Sequence, residues 1–222
     1  MIAVKFIAVI IIGYLLGSIP WGFLIGRWVS KVDVREYGSG KTGTTNVLRT
    51  SGKKAAFLVA ALDIFKGALA VVIAGLLFGK NHVVIGNLAL GMLTAQVLAA
   101  LAAMAGHNWP VFLKFKGGRG VATFFGGLIA LCPGVAVFGG EIGLLGAGIT
   151  KFASLGSLAG VVGAYAILLP LTILNGFPIE YIIYVLIGGV AIILTHRDNI
   201  LRIFKGKERK LGEKAEKIES AQ

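Results

Sequence analysis

Seven apolar stretches separated by short polar, basic segments dominate the chain: 2–28, 55–79, 83–105, 121–132, 134–149, 154–174 and 179–195. Several approach the roughly 20 residues an α-helix needs to cross a bilayer. The pattern predicts an all-α fold, a polytopic transmembrane helical bundle of about seven spans. The first 28 residues resemble a signal peptide superficially, but the apolar run is longer than an h-region and no small-residue cleavage site precedes the polar segment, so it is read as a spanning helix. The fourth and fifth stretches are short, and Pro133-Gly134 between them is turn chemistry. Merging them into one bent crossing places Lys151 and the basic tail opposite the first two basic loops. Keeping them separate places all of the 22 Lys and Arg except Lys5 and Lys80 on one side. Cations concentrate on the cytoplasmic side of membrane proteins, which favours seven crossings with the N-terminus outside and the C-terminus cytoplasmic. Residues 1–204 then form a single integral membrane domain. Residues 205–222 form a basic cytoplasmic tail, expected as a surface helix or a disordered run near anionic headgroups.

Composition places the chain in the membrane class: 56% of its 222 residues are hydrophobic and 14% charged, with a mean hydropathy of +0.86. The net charge of +12 raises the question of nucleic acid, but the charges lie in loops between apolar segments instead of striping a soluble domain, so nucleic acid is not an expected partner. The single cysteine, Cys132, allows no intrachain disulfide and no thiolate metal site. Glycines recur at close-packing spacings, Gly13 with Gly17, Gly22 with Gly26, Gly139 with Gly143 and Gly156 with Gly160, which predicts helices in close approach.

Two inward loops carry anion chemistry. In the first, residues 38–49 (GSGKTGTTNVLR) alternate glycines with hydroxyls, an amide and cations. Glycines let several N–H groups converge on one anion, hydroxyls add donors, and Arg49 offers a bidentate fork for phosphate. Gly40-Lys41-Thr42 is not the end of a nucleotide P-loop, because Arg35 stands where that motif needs glycine and no hydrophobic strand precedes it. The alternative is a flexible polar connector. In the second, residues 114–123 (KFKGGRGVAT) run from a glycine-rich basic turn straight into an apolar helix, joining exposed amides, a helix dipole and cations. Here Lys114, Lys116 and Arg119 also suit plain membrane anchoring.

Other polar residues stand out against apolar neighbours. Asp63 and Lys66 lie one turn apart in the second stretch, where ionisable groups are costly and are usually paired or functional. Glu141 has no nameable partner. His196 and Asn199 are one turn apart after the last span; a histidine there suits proton transfer or a helix-end role.

Taken together, the motifs resemble the bacterial acyl-phosphate:glycerol-3-phosphate acyltransferase family over nearly the whole chain. They are residues 17–20 (GSIP), 38–40 (GSG) with 45–49 (TNVLR), Asp63 to Gly67, Gly106-His107, residues 115–123 (FKGGRGVAT), Ser154, and His196-Arg197 with Asn199-Ile200. Departures fall at Lys41, Thr44 and Arg119, where that family commonly has Asn, Ala and Lys. The resemblance implies transfer of a fatty acyl group from acyl phosphate to the 1-hydroxyl of glycerol 3-phosphate, with no metal or coenzyme, at a bacterial inner-membrane site facing the cytoplasm. Membrane lipids and the enzyme that makes acyl phosphate are the implied partners. It also implies catalytic roles for Ser154, His196 and Asn199. Substrate contacts are implied for Ser39, Gly40, Thr45, Asn46, Arg49, Lys66, His107, Lys116, Gly117, Gly118 and Arg119. Backbone amides of the loops at 38–43 and 117–120 are expected to hold phosphate and stabilise the oxyanion. A phosphate transporter is the competing class; no convincing internal repeat supports it.

Overall fold

The computed structural model describes residues 2–79, 81–85 and 88–218. Every one of the seven apolar stretches contains a helix. In chain order the elements are α1 (Ile2–Ser18), α2 (Trp21–Ser30), α3 (Thr44–Phe78), a short hairpin of β1 (Val83–Ile85) and β2 (Leu88–Leu90), α4 (Met92–Asn108), α5 (Val121–Leu131), α6 (Pro133–Thr150), α7 (Ala153–Asn175), α8 (Ile179–Thr195) and α9 (Arg197–Phe204). Four helical stretches, α1 with α2, α3, α6 and α7, are long and apolar enough to cross a membrane. The pair α8 and α9, bent by 58° at His196, is a fifth candidate.

One boundary differs clearly from the expectation. The third span does not begin at Val83, because Val83–Ile85 pairs antiparallel with Leu88–Leu90 and the helix starts only after Gly91. Branched Val83, Val84 and Ile85 favour this extended pairing. Lys80, one of the two cations expected on the far side, lies outside the described residues. The fourth and fifth stretches are indeed separate helices: Cys132 is non-helical and Pro133 opens α6 at a position where its missing N–H costs nothing. With eleven residues, α5 reaches about 16 Å, half the hydrocarbon thickness.

Small residues set the packing. A methyl added to Gly13 or Gly17 of α1 would overlap the backbone of Ala99 or Ala103 on α4, and one on Gly156 would overlap Gly143. The pairs α1 with α4 and α6 with α7 are accordingly the most extensive contacts in the bundle. Between them Phe124 and Tyr184 stack at 5.1 Å, and the Tyr184 hydroxyl donates to the Phe124 carbonyl at 2.8 Å. Apolar side chains such as Leu76, Ile149 and Leu174 face outward, as a lipid solvent allows.

Two breaks shape the polar pole. At Gly52 the chain takes φ 84° and ψ −179° inside α3, a conformation only glycine adopts freely. A straight helix would hold Thr44 and Ala60 about 24 Å apart, yet both line one cavity, so the segment before Gly52 is turned back over the rest of α3. The second break is the tail, which is neither a helix nor loose. Gly206 and Gly212 take positive φ, and the chain crosses the loops instead: Leu211 N–H donates to Lys151 O, Ala215 N–H to Arg49 O, Ile218 N–H to Glu36 O, and Gly38 N–H to Glu216 O. The loops offered backbone groups in need of partners, and the tail satisfies them.

Candidate functional site

A cavity of about 250 Å³ opens where the two glycine-rich loops meet. Its walls include Thr44 and Thr45 at the start of α3, Gly120, Val121 and Ala122 at the start of α5, and Lys41, Arg119 and His196. The first amides of a helix have no intrahelical partner, and two helix starts with their positive dipole ends share this one space.

The loops reach this arrangement differently. In the first, Asn46 is the scaffold: its Nδ2 donates to Val34 O at 2.7 Å, Lys41 O at 2.9 Å and Tyr37 O at 3.1 Å, while its Oδ1 accepts from Ser39 N–H at 3.1 Å. In the second, the loop is wrapped on the end of α4. Gly117 N–H donates to Asn108 O and Gly118 N–H to His107 O. A methyl on Gly118 would overlap His107 Nε2, and one on Gly120 would crowd the Asn108 side chain. The amides of residues 38–40, 117 and 118 are therefore occupied by protein acceptors. The amides free for an anion are the next ones along, at the helix starts.

Electrostatics favour an anion here. Arg119 is largely withdrawn from solvent, and burial first, then the charge of Arg202, brings its pKa down to about 10; it stays charged at neutral pH. Burial and the facing charge of Arg119 also lower the pKa of Lys41. The buried atoms Arg119 Nε and Thr44 Oγ1 have no hydrogen-bond partner among the described residues. His196 is 2% exposed; burial first, then the charge of Arg119, lowers its pKa to about 4. The neutral ring donates Nδ1–H to Ile192 O at 2.8 Å, which leaves Nε2 as an acceptor.

Of the residues singled out in the sequence, the cavity gathers Ser39, Thr45, Asn46, His107, Arg119 and His196. Gly40, Gly117 and Gly118 shape the loops behind it. Lys116 is exposed on the outer side of its loop. Lys66 sits behind the cavity, where its Nζ meets Asp63 Oδ1 at 2.8 Å and donates to Ile19 O at 3.0 Å. Arg49 holds the tail: its Nη2 donates to Arg209 O at 3.1 Å and Lys210 O at 2.9 Å. Ser154 and Asn199 meet at a residue that the sequence reading missed. Glu208 Oε1 accepts from Ser154 Oγ at 2.9 Å and Asn199 Nδ2 at 2.6 Å, and its Oε2 accepts from Arg202 Nε at 2.9 Å. The only signal was one acid among the cations of residues 205–210. Lys41, where the chain departs from the family pattern, also lines the cavity.

Comparison with known proteins agrees with this architecture. The sequence pattern of the glycerol-3-phosphate acyltransferase family matches residues 7–206. Glycerol-3-phosphate acyltransferase 3 of Dehalococcoides mccartyi (strain CBDB1) is 61% identical over 215 residues, 97% of this chain and all of that one. The glycerol-3-phosphate acyltransferase of Thermus thermophilus is 42% identical over 207 residues, 93% of this chain and 96% of that one. The crystal structure of PlsY (YgiH), an integral membrane glycerol 3-phosphate acyltransferase in its glycerol 3-phosphate form, superposes with a TM-score of 0.79 at 34% identity, covering 92% of this chain and 94% of that one. Sharing both sequence and fold over nearly its full length, the chain belongs to the glycerol-3-phosphate acyltransferase family.

Proposed function

We propose that this membrane enzyme transfers a fatty acyl group from acyl phosphate to the 1-hydroxyl of glycerol 3-phosphate, giving lysophosphatidic acid and inorganic phosphate for phospholipid synthesis. The observation that carries the reading is the convergence of two helix starts, Lys41 and Arg119 on one cavity. Both substrates carry phosphate, and amides, hydroxyls and cations are its natural partners. The hydroxyl oxygen attacks the acyl carbon, the carbonyl oxygen gathers negative charge, and the phosphate leaves as the C–O bond to it breaks. Helix-start amides facing that oxygen stabilise the charge. The hydroxyl proton ends on the departing phosphate, so the sum needs no further reactant. An acyl phosphate is already activated, and positioning the two substrates supplies much of the rate.

In this reading Ser39, Thr45 and Arg119 contact phosphate directly, and Lys116 supplies charge at the entrance. Nε2 of His196 accepts a hydrogen bond from the glycerol portion. Ser154 and Asn199 hold α7 and α9 against the tail through Glu208 and so fix the His196 wall. Arg49 steadies the same tail across the first loop. The concentration of cations on the loops and tail supports a site on the cytoplasmic face of a bacterial inner membrane, with seven crossings and the N-terminus outside; in this reading the enzyme that makes acyl phosphate is the supplier.

The test uses purified protein in lipid nanodiscs with glycerol 3-phosphate and either acyl phosphate or acyl-coenzyme A. Lysophosphatidic acid formed from acyl phosphate, with an equal amount of phosphate released, is expected. Product from acyl-coenzyme A alone would remove acyl phosphate as the donor.

A further inference from the structure

Among the described residues that line the main cavity, Asp63 is the one acid. It is 1% exposed and shares this wall with Ala60, one turn earlier on α3, and His107 at the end of α4. Its two oxygens are not equivalent. Lys66 Nζ at 2.8 Å and His107 Nδ1 at 3.4 Å both approach Oδ1, as ionic contacts without hydrogen-bond alignment. Oδ2 is buried with no hydrogen-bond partner among the described residues. A buried carboxylate oxygen left without a donor is costly, so it suits a donor that arrives with a ligand. Lys66 lies on the far side, bonded to Ile19 O, and does not line the cavity.

The cavity is thus polarised. Lys41 and Arg119 enter from the loops, and Asp63 stands on the membrane side. A phosphate is repelled by Asp63 and drawn to the cations, whereas a hydroxyl is a donor the carboxylate accepts. Glycerol 3-phosphate has that polarity: a dianion at one end and two hydroxyls toward the other. The 1-hydroxyl must face the acyl carbonyl, which leaves the 2-hydroxyl for a fixed acceptor.

We propose that Asp63 is the specificity residue that holds the 2-hydroxyl of glycerol 3-phosphate, with Lys66 and His107 fixing the orientation of its carboxylate. The inference rests on the acyltransferase reading above. It gives the buried ion pair a second duty: Lys66 and His107 take one oxygen and so present the other to substrate.

The experiment compares glycerol 3-phosphate with 3-hydroxypropyl phosphate, which keeps the reacting hydroxyl and the phosphate but lacks the 2-hydroxyl, with acyl phosphate as donor and full-length protein in nanodiscs. Sites that hydrogen-bond a substrate hydroxyl reject analogues lacking it strongly, so the wild type should favour glycerol 3-phosphate by about a hundredfold or more in kcat/KM. In Asp63→Asn the KM for glycerol 3-phosphate should rise, and the preference for it over the analogue should fall about tenfold or more. Equal use of the two acceptors by the wild type overturns the proposal whether or not the variant folds. So does a folded Asp63→Asn protein that is slower on both acceptors with the preference unchanged. A wild type that acylates neither acceptor from acyl phosphate overturns the acyltransferase reading itself, a result distinct from these two.

Discussion

The two glycine-rich loops look interchangeable in sequence, yet they hold their shape by opposite means. The first is organised by one side chain, Asn46, which ties together Val34, Tyr37, Ser39 and Lys41. The second is organised by the lack of side chains, with Gly117, Gly118 and Gly120 pressed on His107 and Asn108. In both, glycines (Gly38 and Gly40 in the first, Gly117 and Gly118 in the second) spend their own amides on protein acceptors, and the loop delivers a helix start to the cavity. Glycine in such loops therefore marks close backbone approach, and the anion-facing donors lie a few residues further on.

The largest effect should come from breaking the second loop. In Gly118→Ala the new methyl meets His107 Nε2, and His107 is buried against Asp63 and cannot yield cheaply. A loss of about a hundredfold or more in kcat/KM is expected, with thermal stability also reduced. Breaking the first loop comes next. Asn46→Ala removes four hydrogen bonds and strands buried carbonyls, a cost of roughly 3 kcal/mol, read as a lower unfolding temperature with a drop in activity of about tenfold or more.

The cations sharpen the comparison. Each loop contributes one, but Arg119 is the more deeply withdrawn and has an unpartnered Nε. Arg119→Gln should raise the KM for acyl phosphate about tenfold or more, and Lys41→Asn by a smaller factor, both measured by initial rates. The smallest effect concerns His196, whose pKa is held near 4 by burial and then by Arg119. Removing that charge makes protonation easier, so in Arg119→Gln His196 should titrate above 4, toward 6.5, followed by NMR of labelled histidine. The linkage has a definite sign. Between an unfolded pKa near 6.5 and the folded value near 4, the unfolded chain binds more protons, so stability falls as pH drops through that window.

Much of the fold was legible because lipid imposes a strong pattern. Apolar runs must become helices, and glycine pairs such as Gly13 with Gly17 foretold a close helix approach, whose partner proved to be α4. What escaped was non-local. Val83–Ile85 reads as the start of a span until its pairing with Leu88–Leu90 is seen. The tail reads as a solvated charge run, and its backbone bonds to residues 36, 38, 49 and 151 have no periodic signature. The candidate site was legible as two loops and a histidine that share one cavity. Its assembly depended on the turn at Gly52, and Glu208 lay hidden among cations 54 residues from Ser154. The fork of Arg49 suits phosphate by its chemistry, yet it grips tail carbonyls instead of lining the cavity.

The central claim is that one phosphate-binding space exists where α3 and α5 begin. The most direct measurement is a crystal or cryo-electron microscopy structure with inorganic phosphate or a non-hydrolysable acyl phosphate analogue bound. The phosphate is expected within about 3 Å of amides from Thr44 or Thr45 and from Val121 or Ala122, with Arg119 beside it. Phosphate found only in the groove bordered by Arg49, Lys53 and Lys214, with the space between the helix starts empty, would contradict it.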